Sequence, residues 1–89
     1  MKLNQGAIDS NIEKLKSLSC YVKAQANLLF SVVCCLDSLE SVCSQIPELT
    51  LISSSKYRLL LRENEQHVIG CIELEDVNSR LSITVKIYE

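Results

Sequence analysis

The chain has 89 residues, 47% of them hydrophobic, with one Phe, no Trp and a formal net charge of −2. That length makes one domain, spanning residues 1–89, whose own core leaves a thin stability margin. The mildly acidic balance gives no long-range attraction for nucleic acid or an anionic membrane, and two Gly and one Pro promise long elements with few loops.

The opening MKLNQGAIDS lacks the apolar run of a secretory signal. Five cysteines are an odd number without the spacing of a disulfide framework, and they read as free, mostly buried thiols in a reducing compartment. An intracellular protein, cytoplasmic or nuclear, is expected.

From Ala7 to Ile46 there is neither Gly nor Pro. Ser10 followed by Glu13 forms a capping-box pattern, with Asp9 as a rival cap, and Pro47 ends the run. Between them Ile8, Ile12, Leu15, Val22, Ala26, Leu29, Val33, Leu36 and Cys43 recur in steps of three and four, with Ser19 and Glu40 interrupting. A second row, Leu18, Leu28, Val32, Cys35, Leu39, Val42 and Ile46, widens the apolar face in the C-terminal half. One helix over 8–46 is therefore expected, with a narrow, coiled-coil-like seam at its start. Residues 10–46 alone would extend about 55 Å at 1.5 Å per residue, whereas a compact domain of this size has a radius of gyration of about 12 Å. Such a helix either bends, near residues 17–20 or 37–41, or projects. Neither site carries Gly or Pro, which favours projection and a partner to cover the seam.

Residues 49–89 read as an antiparallel β-meander of three or four strands. Leu81, Ile83, Val85 and Ile87 alternate with polar residues; Val68, Gly70, Ile72 and Leu74 form a second row, and Tyr57, Leu59 and Leu61 a third. Turns over 63–66 and 76–79 set Leu61 opposite Val68 and Leu74 opposite Leu81, which places all three rows on one face. Gly70 falls within that face, where a missing side chain would let the helix approach. On the other face Leu60 is expected opposite Ile69, with Cys71 and Tyr88 nearby, as a possible second contact surface.

Chemical signals are sparse. Cys34 and Cys35 are adjacent and diverge on a helix, Cys43 lies two turns further, and no C-x-x-C pair exists, so interface filling is preferred to a metal site. His67 has no nucleophile or orienting carboxylate in any motif and is expected on the surface beside Arg62. Glu73, Glu75 and Asp76 lack the spacing of a calcium loop and read as a solvated strand end. Arg58, Arg62, Lys86 and Tyr88 would permit nucleic-acid contacts on the outer sheet face, against the acidic total. The apolar run 28–36 is too short to span a membrane.

The expectation is an α+β chain: a long N-terminal, coiled-coil-like helix followed by a three- to four-stranded antiparallel β-meander packed on its C-terminal half. That layout is similar, as architecture only, to several chromosome-segregation and scaffold subunits. It implies a non-enzymatic structural or interaction subunit, without cofactor, metal or small-molecule substrate, that forms a homodimer or joins a heterologous complex. The expected interface is Ile12, Leu15, Val22, Ala26 and Leu29 on the seam, with Leu60 and Ile69 on the sheet. A thiol-based or metal-binding regulator and a nucleic-acid adaptor are the alternatives.

Overall fold

The computed structural model describes residues 2–3, 11, 13–36 and 38–88. Its elements, in order, are β1 (Lys2–Leu3), α1 (Cys20–Cys35), α2 (Leu39–Gln45), β2 (Thr50–Ser53), β3 (Lys56–Asn64), β4 (His67–Val77) and β5 (Arg80–Ile87). Asn11 and residues 13–15 are also helical, so three short helices accompany the sheet. Strands β2 to β5 form a four-stranded antiparallel sheet, which β1 joins in parallel beside β5, in the order β1–β5–β4–β3–β2.

The long helix expected over 8–46 is therefore a correction: it is broken twice, and α1 has 16 residues. Both breaks fall at the two bend sites, and serines make them. After residue 15 the chain tightens, Leu18 donating to the Leu15 carbonyl, and Ser19 in extended backbone caps α1 by accepting from the Val22 N–H. After α1, Leu36 is extended, and Ser38 caps α2 by accepting from the Ser41 N–H at 3.2 Å. A serine that satisfies the orphan donors of a helix start competes with helix continuation, with no Gly or Pro needed. Ile46, extended before Pro47, ends α2.

Breaking the run lets the pieces fold over the sheet. Leu15, Val22, Ala26, Leu29, Phe30 and Val33 pack with Leu39, Val42, Ile46 and Leu49 on the face made by Leu59, Leu61, Ile72, Leu74, Leu81, Ile83 and Val85. The radius of gyration is 12.3 Å and the extents are 32 × 25 × 21 Å, so among the described residues no arm projects. The coiled-coil seam, and the architectural likeness that rested on it, go with the arm. Ile8, Asp9, Ser10 and Ile12 lie outside the described residues.

Inner-face rows lie where alternation puts them, but both hairpin registers are two residues from those expected. Leu61 faces Gly70, Leu59 faces Ile72 and Tyr57 faces Leu74; across the next pair Leu74 faces Ile83 and Ile72 faces Val85. The two-residue loop Asn78–Ser79, with φ of 52° and 63°, accounts for the second shift. Positive φ at both positions makes a turn whose twist matches the strands, tighter than a four-residue turn. A slip of two preserves the face; a slip of one would have inverted it.

Gly70 is buried against a strand, not beneath the helix. A Cβ there would run into the Lys86 carbonyl oxygen and lie 3.1 Å from the Ile87 Cα. Close approach of β4 and β5 requires the glycine.

Candidate functional site

The sheet has two edges, and each is closed by a side-chain carboxamide from the helical region. On the β5 side, among the described residues, β1 pairs with Arg80 and Leu81. Beyond it the buried Asn11 donates Nδ2–H to the Ile83 carbonyl at 3.1 Å, and its Oδ1 accepts from the Val85 N–H at 3.3 Å. Those two groups flank Thr84, the pattern that a parallel neighbour would use, so Asn11 continues β1 in β1's own sense.

On the other side β2 ends with Thr50 opposite Arg58, while β3 runs on to Asn64. Gln25 donates Nε2–H to the Arg62 carbonyl at 2.7 Å, and its Oε1 accepts from the Arg62 N–H at 3.2 Å. Exchange of both bonds with one residue is the antiparallel pattern, again the sense of the neighbouring strand. Leu60, by alternation, turns its backbone to the same edge between Thr50 and the Gln25 clasp.

A groove of about 440 Å³ opens at that place, lined by Tyr21, Gln25 and Leu28 of α1, by Leu59, Leu60 and Arg62 of β3, and by Ile46, Glu48 and Thr50. Tyr21 (57%), Leu28 (60%) and Leu60 (36%) are exposed, as are Leu51 and Ile52 on the neighbouring β2. Tyr21, Gln25 and Leu28 sit at helical spacing along one side of α1. Large apolar side chains thus gather along one flank of the molecule.

The open sheet face carries an ion cluster. Glu73, on the central strand, is only 4% exposed, because Lys56, Arg58 and Lys86 lie over it. Arg58 donates from Nε and Nη2 to Oε2 at 3.1 and 2.8 Å, and Lys86 Nζ lies 2.9 Å from Oε1. Hydrogen bonds from Lys86 and Arg58 outweigh desolvation and hold the carboxyl at about 2, from an ordinary 4.5. Glu73 is thus an ion-pair centre, which corrects its reading as a solvated strand end; Asp76 remains exposed. Two of the cations offered for nucleic acid, Arg58 and Lys86, are engaged by Glu73, and Arg62 donates to the Glu65 carbonyl. Tyr88 lies half exposed over the buried Cys71, and their hydrogen bond raises the phenol pKa.

The expected interface residues separate. Leu15, Val22, Ala26 and Leu29 are 0–3% exposed within the chain's own core, and Ile12 lies outside the described residues. Ile69 is half-buried against the core, and Leu60 faces Cys71, not Ile69. Of the seven, Leu60 lies on the groove. Tyr21, Gln25 and Leu28 share a stripe on any helix through this segment; what no local pattern signals is that the stripe lies beside the β3 edge, 37 residues on.

Thiol placement also differs from expectation. Cys20, Cys34 and Cys35 are exposed, Cys43 is half-buried with its thiol 3.4 Å from the Leu49 carbonyl, and Cys71 is buried. His67 lies 3.0 Å from Glu63, both exposed. Among the described residues no group of three or more His, Cys, Asp or Glu is placed to hold a metal ion, and no helix is long and apolar enough to cross a membrane. Comparison with protein-family models, curated proteins and solved structures gives no match.

Proposed function

We propose that this chain is a small, non-enzymatic interaction subunit that engages a protein partner through the flank formed by α1, the β3 edge and β2. The supporting observation is the groove bounded by Tyr21, Leu28 and Leu60 in a molecule whose other large apolar residues are mostly committed to its core. Concave apolar ground with a few polar groups on its rim is what specific recognition uses. The helix seam plays no part, since it is internal.

The test compares three baits in a native extract: the wild type, Leu28→Glu on the flank, and Thr84→Glu on the open sheet face. Polypeptides held by wild type and by Thr84→Glu, and lost with Leu28→Glu, support the reading. A set lost only with Thr84→Glu moves the interface to the sheet face, and a set indifferent to both sinks it.

The exposure of Cys20, Cys34 and Cys35 favours a thiol-based role as second reading. Exposed thiols react according to their thiolate fraction. Alkylating the native protein separates the two: capture that survives alkylation leaves the thiols without a part in it.

A further inference from the structure

The Gln25–Arg62 clasp marks what the groove recognises. Resting on the interaction reading above, we infer that the β3 edge beside the groove receives a short extended peptide segment of another protein, which adds antiparallel to β3 in line with β2.

Three features carry this. The first is the vacancy in the ladder: β3 has nine residues, β2 has four, and β2's pairing stops at Arg58. The second is the chemistry already at the edge. Gln25 satisfies both backbone groups of Arg62 with one carboxamide, so the site presents the donor–acceptor pair of a strand and is filled by a stand-in for a peptide group. An entering backbone replaces that stand-in bond for bond, which is the exchange strand addition requires. Gln25 Nε2 already donates to the Tyr21 backbone carbonyl as well, at 3.3 Å, a bond it can retain when it leaves Arg62.

Charge complementarity is the third feature, and with the antiparallel direction set by the clasp it selects the segment. An added antiparallel strand runs from Asn64 toward Leu60, with its third residue opposite Arg62, so its N-terminal half lies by the Arg62 side chain and its C-terminal end by Glu48. The matching segment begins with an acidic residue and ends with a basic one. Alternation then turns its second and fourth side chains toward α1, where Tyr21, Leu28 and Leu59 make the apolar lining. β2 blocks the edge beyond Leu60, which limits the segment to about five residues.

A probe with these properties is acetyl-Glu-Val-Thr-Val-Lys-amide, titrated onto isotope-labelled full chain and followed by nuclear magnetic resonance. Expected are saturable shifts of the Leu60 and Arg62 amides and of the Gln25 side-chain amide. The charge-reversed probe, acetyl-Lys-Val-Thr-Val-Glu-amide, should bind about fivefold more weakly, the scale of two exposed ion pairs. N-methylation of the threonine should abolish binding, and Gln25→Ala, which vacates the edge, should strengthen it. No shift at Leu60 and Arg62 in either wild type or Gln25→Ala overturns the inference. So does binding that survives N-methylation, which would put side-chain packing in charge, as for a docked helix. Sedimentation of the wild type adds the remaining alternative: a concentration-dependent dimer lost with Leu28→Glu seats a second copy in the groove and also overturns it. A negative peptide titration alongside Leu28-dependent capture would sink strand addition while leaving the interaction reading standing.

Discussion

Glu73 shows how much one residue can organise on a bare sheet face. Its carboxylate is held at about 2, below the ordinary 4.5, so the folded chain binds that proton less readily than the unfolded chain. The contribution is therefore fully present above pH 4.5 and is lost as pH falls from 4.5 toward 2. Denaturant titrations across that window should give a falling stability for the wild type and a flatter curve for Glu73→Gln. At neutral pH Glu73→Gln should cost about 1–2 kcal/mol, less than a fully buried pair, because its three cations are partly exposed and regain water. Equal acid dependence in both proteins would remove Glu73 from the account. At Gly70 the constraint is steric: Gly70→Ala places a methyl against the β5 backbone, and since backbone yields less than side chains, a loss of about 1–3 kcal/mol is expected. An unchanged melting temperature would contradict the β4–β5 packing.

Among the elements, strands were far more legible than helices. Period-two alternation in Leu81, Ile83, Val85 and in Leu59, Leu61 fixes a face whatever the register, which is why a two-residue error at Asn78–Ser79 left the inner rows intact. The helical run had no such protection. Apolar steps of three and four from Leu15 to Val33 are equally consistent with one rod and with two pieces, because both segments bury the same stripe. What decides is Ser19 and Ser38, and a serine within a helical pattern carries no mark that separates a cap from a solvated position. Gln25 and Asn11 were opaque for a related reason: each bonds to a strand 37 or more residues away, which no local pattern encodes. Ser19→Ala and Ser38→Ala should each cost about 1 kcal/mol, the worth of a helix cap, as read from thermal melts. Were these serines simply exposed mid-helix residues, alanine would stabilise instead.

At the scale of the molecule, compaction reverses one expectation outright. On a projecting arm, Leu15→Glu with Val22→Glu would dissociate an assembly and leave the sheet folded. In a body of 12.3 Å radius of gyration, both positions lie in the core, at 3% and 0% exposure. Two unpaired carboxylates there cost several kcal/mol each, enough to exhaust the 5–15 kcal/mol margin of a typical small domain. Circular dichroism should therefore report global unfolding of the double variant. A folded double variant would mean that the helices do not cover the sheet. The same compaction explains why the apolar stripe of the described helices is spent on the core and does not stand out as a continuous exposed seam.

The two carboxamide clasps differ greatly in the length of chain they close. Gln25 joins residues 37 apart, whereas Asn11 reaches partners 72 and 74 positions away on the last strand. Of the two clasps, Asn11's carries the larger loop entropy and is expected to form after the hairpins β3–β4 and β4–β5 have assembled. Asn11 thus acts as a latch set late in the folding reaction. Stopped-flow measurements on Asn11→Ala should find folding at nearly the wild-type rate and unfolding accelerated by about the whole stability loss, the kinetic mark of a contact absent from the transition state. A matching slowdown in folding would instead place Asn11 in the nucleus, with chain ends meeting first.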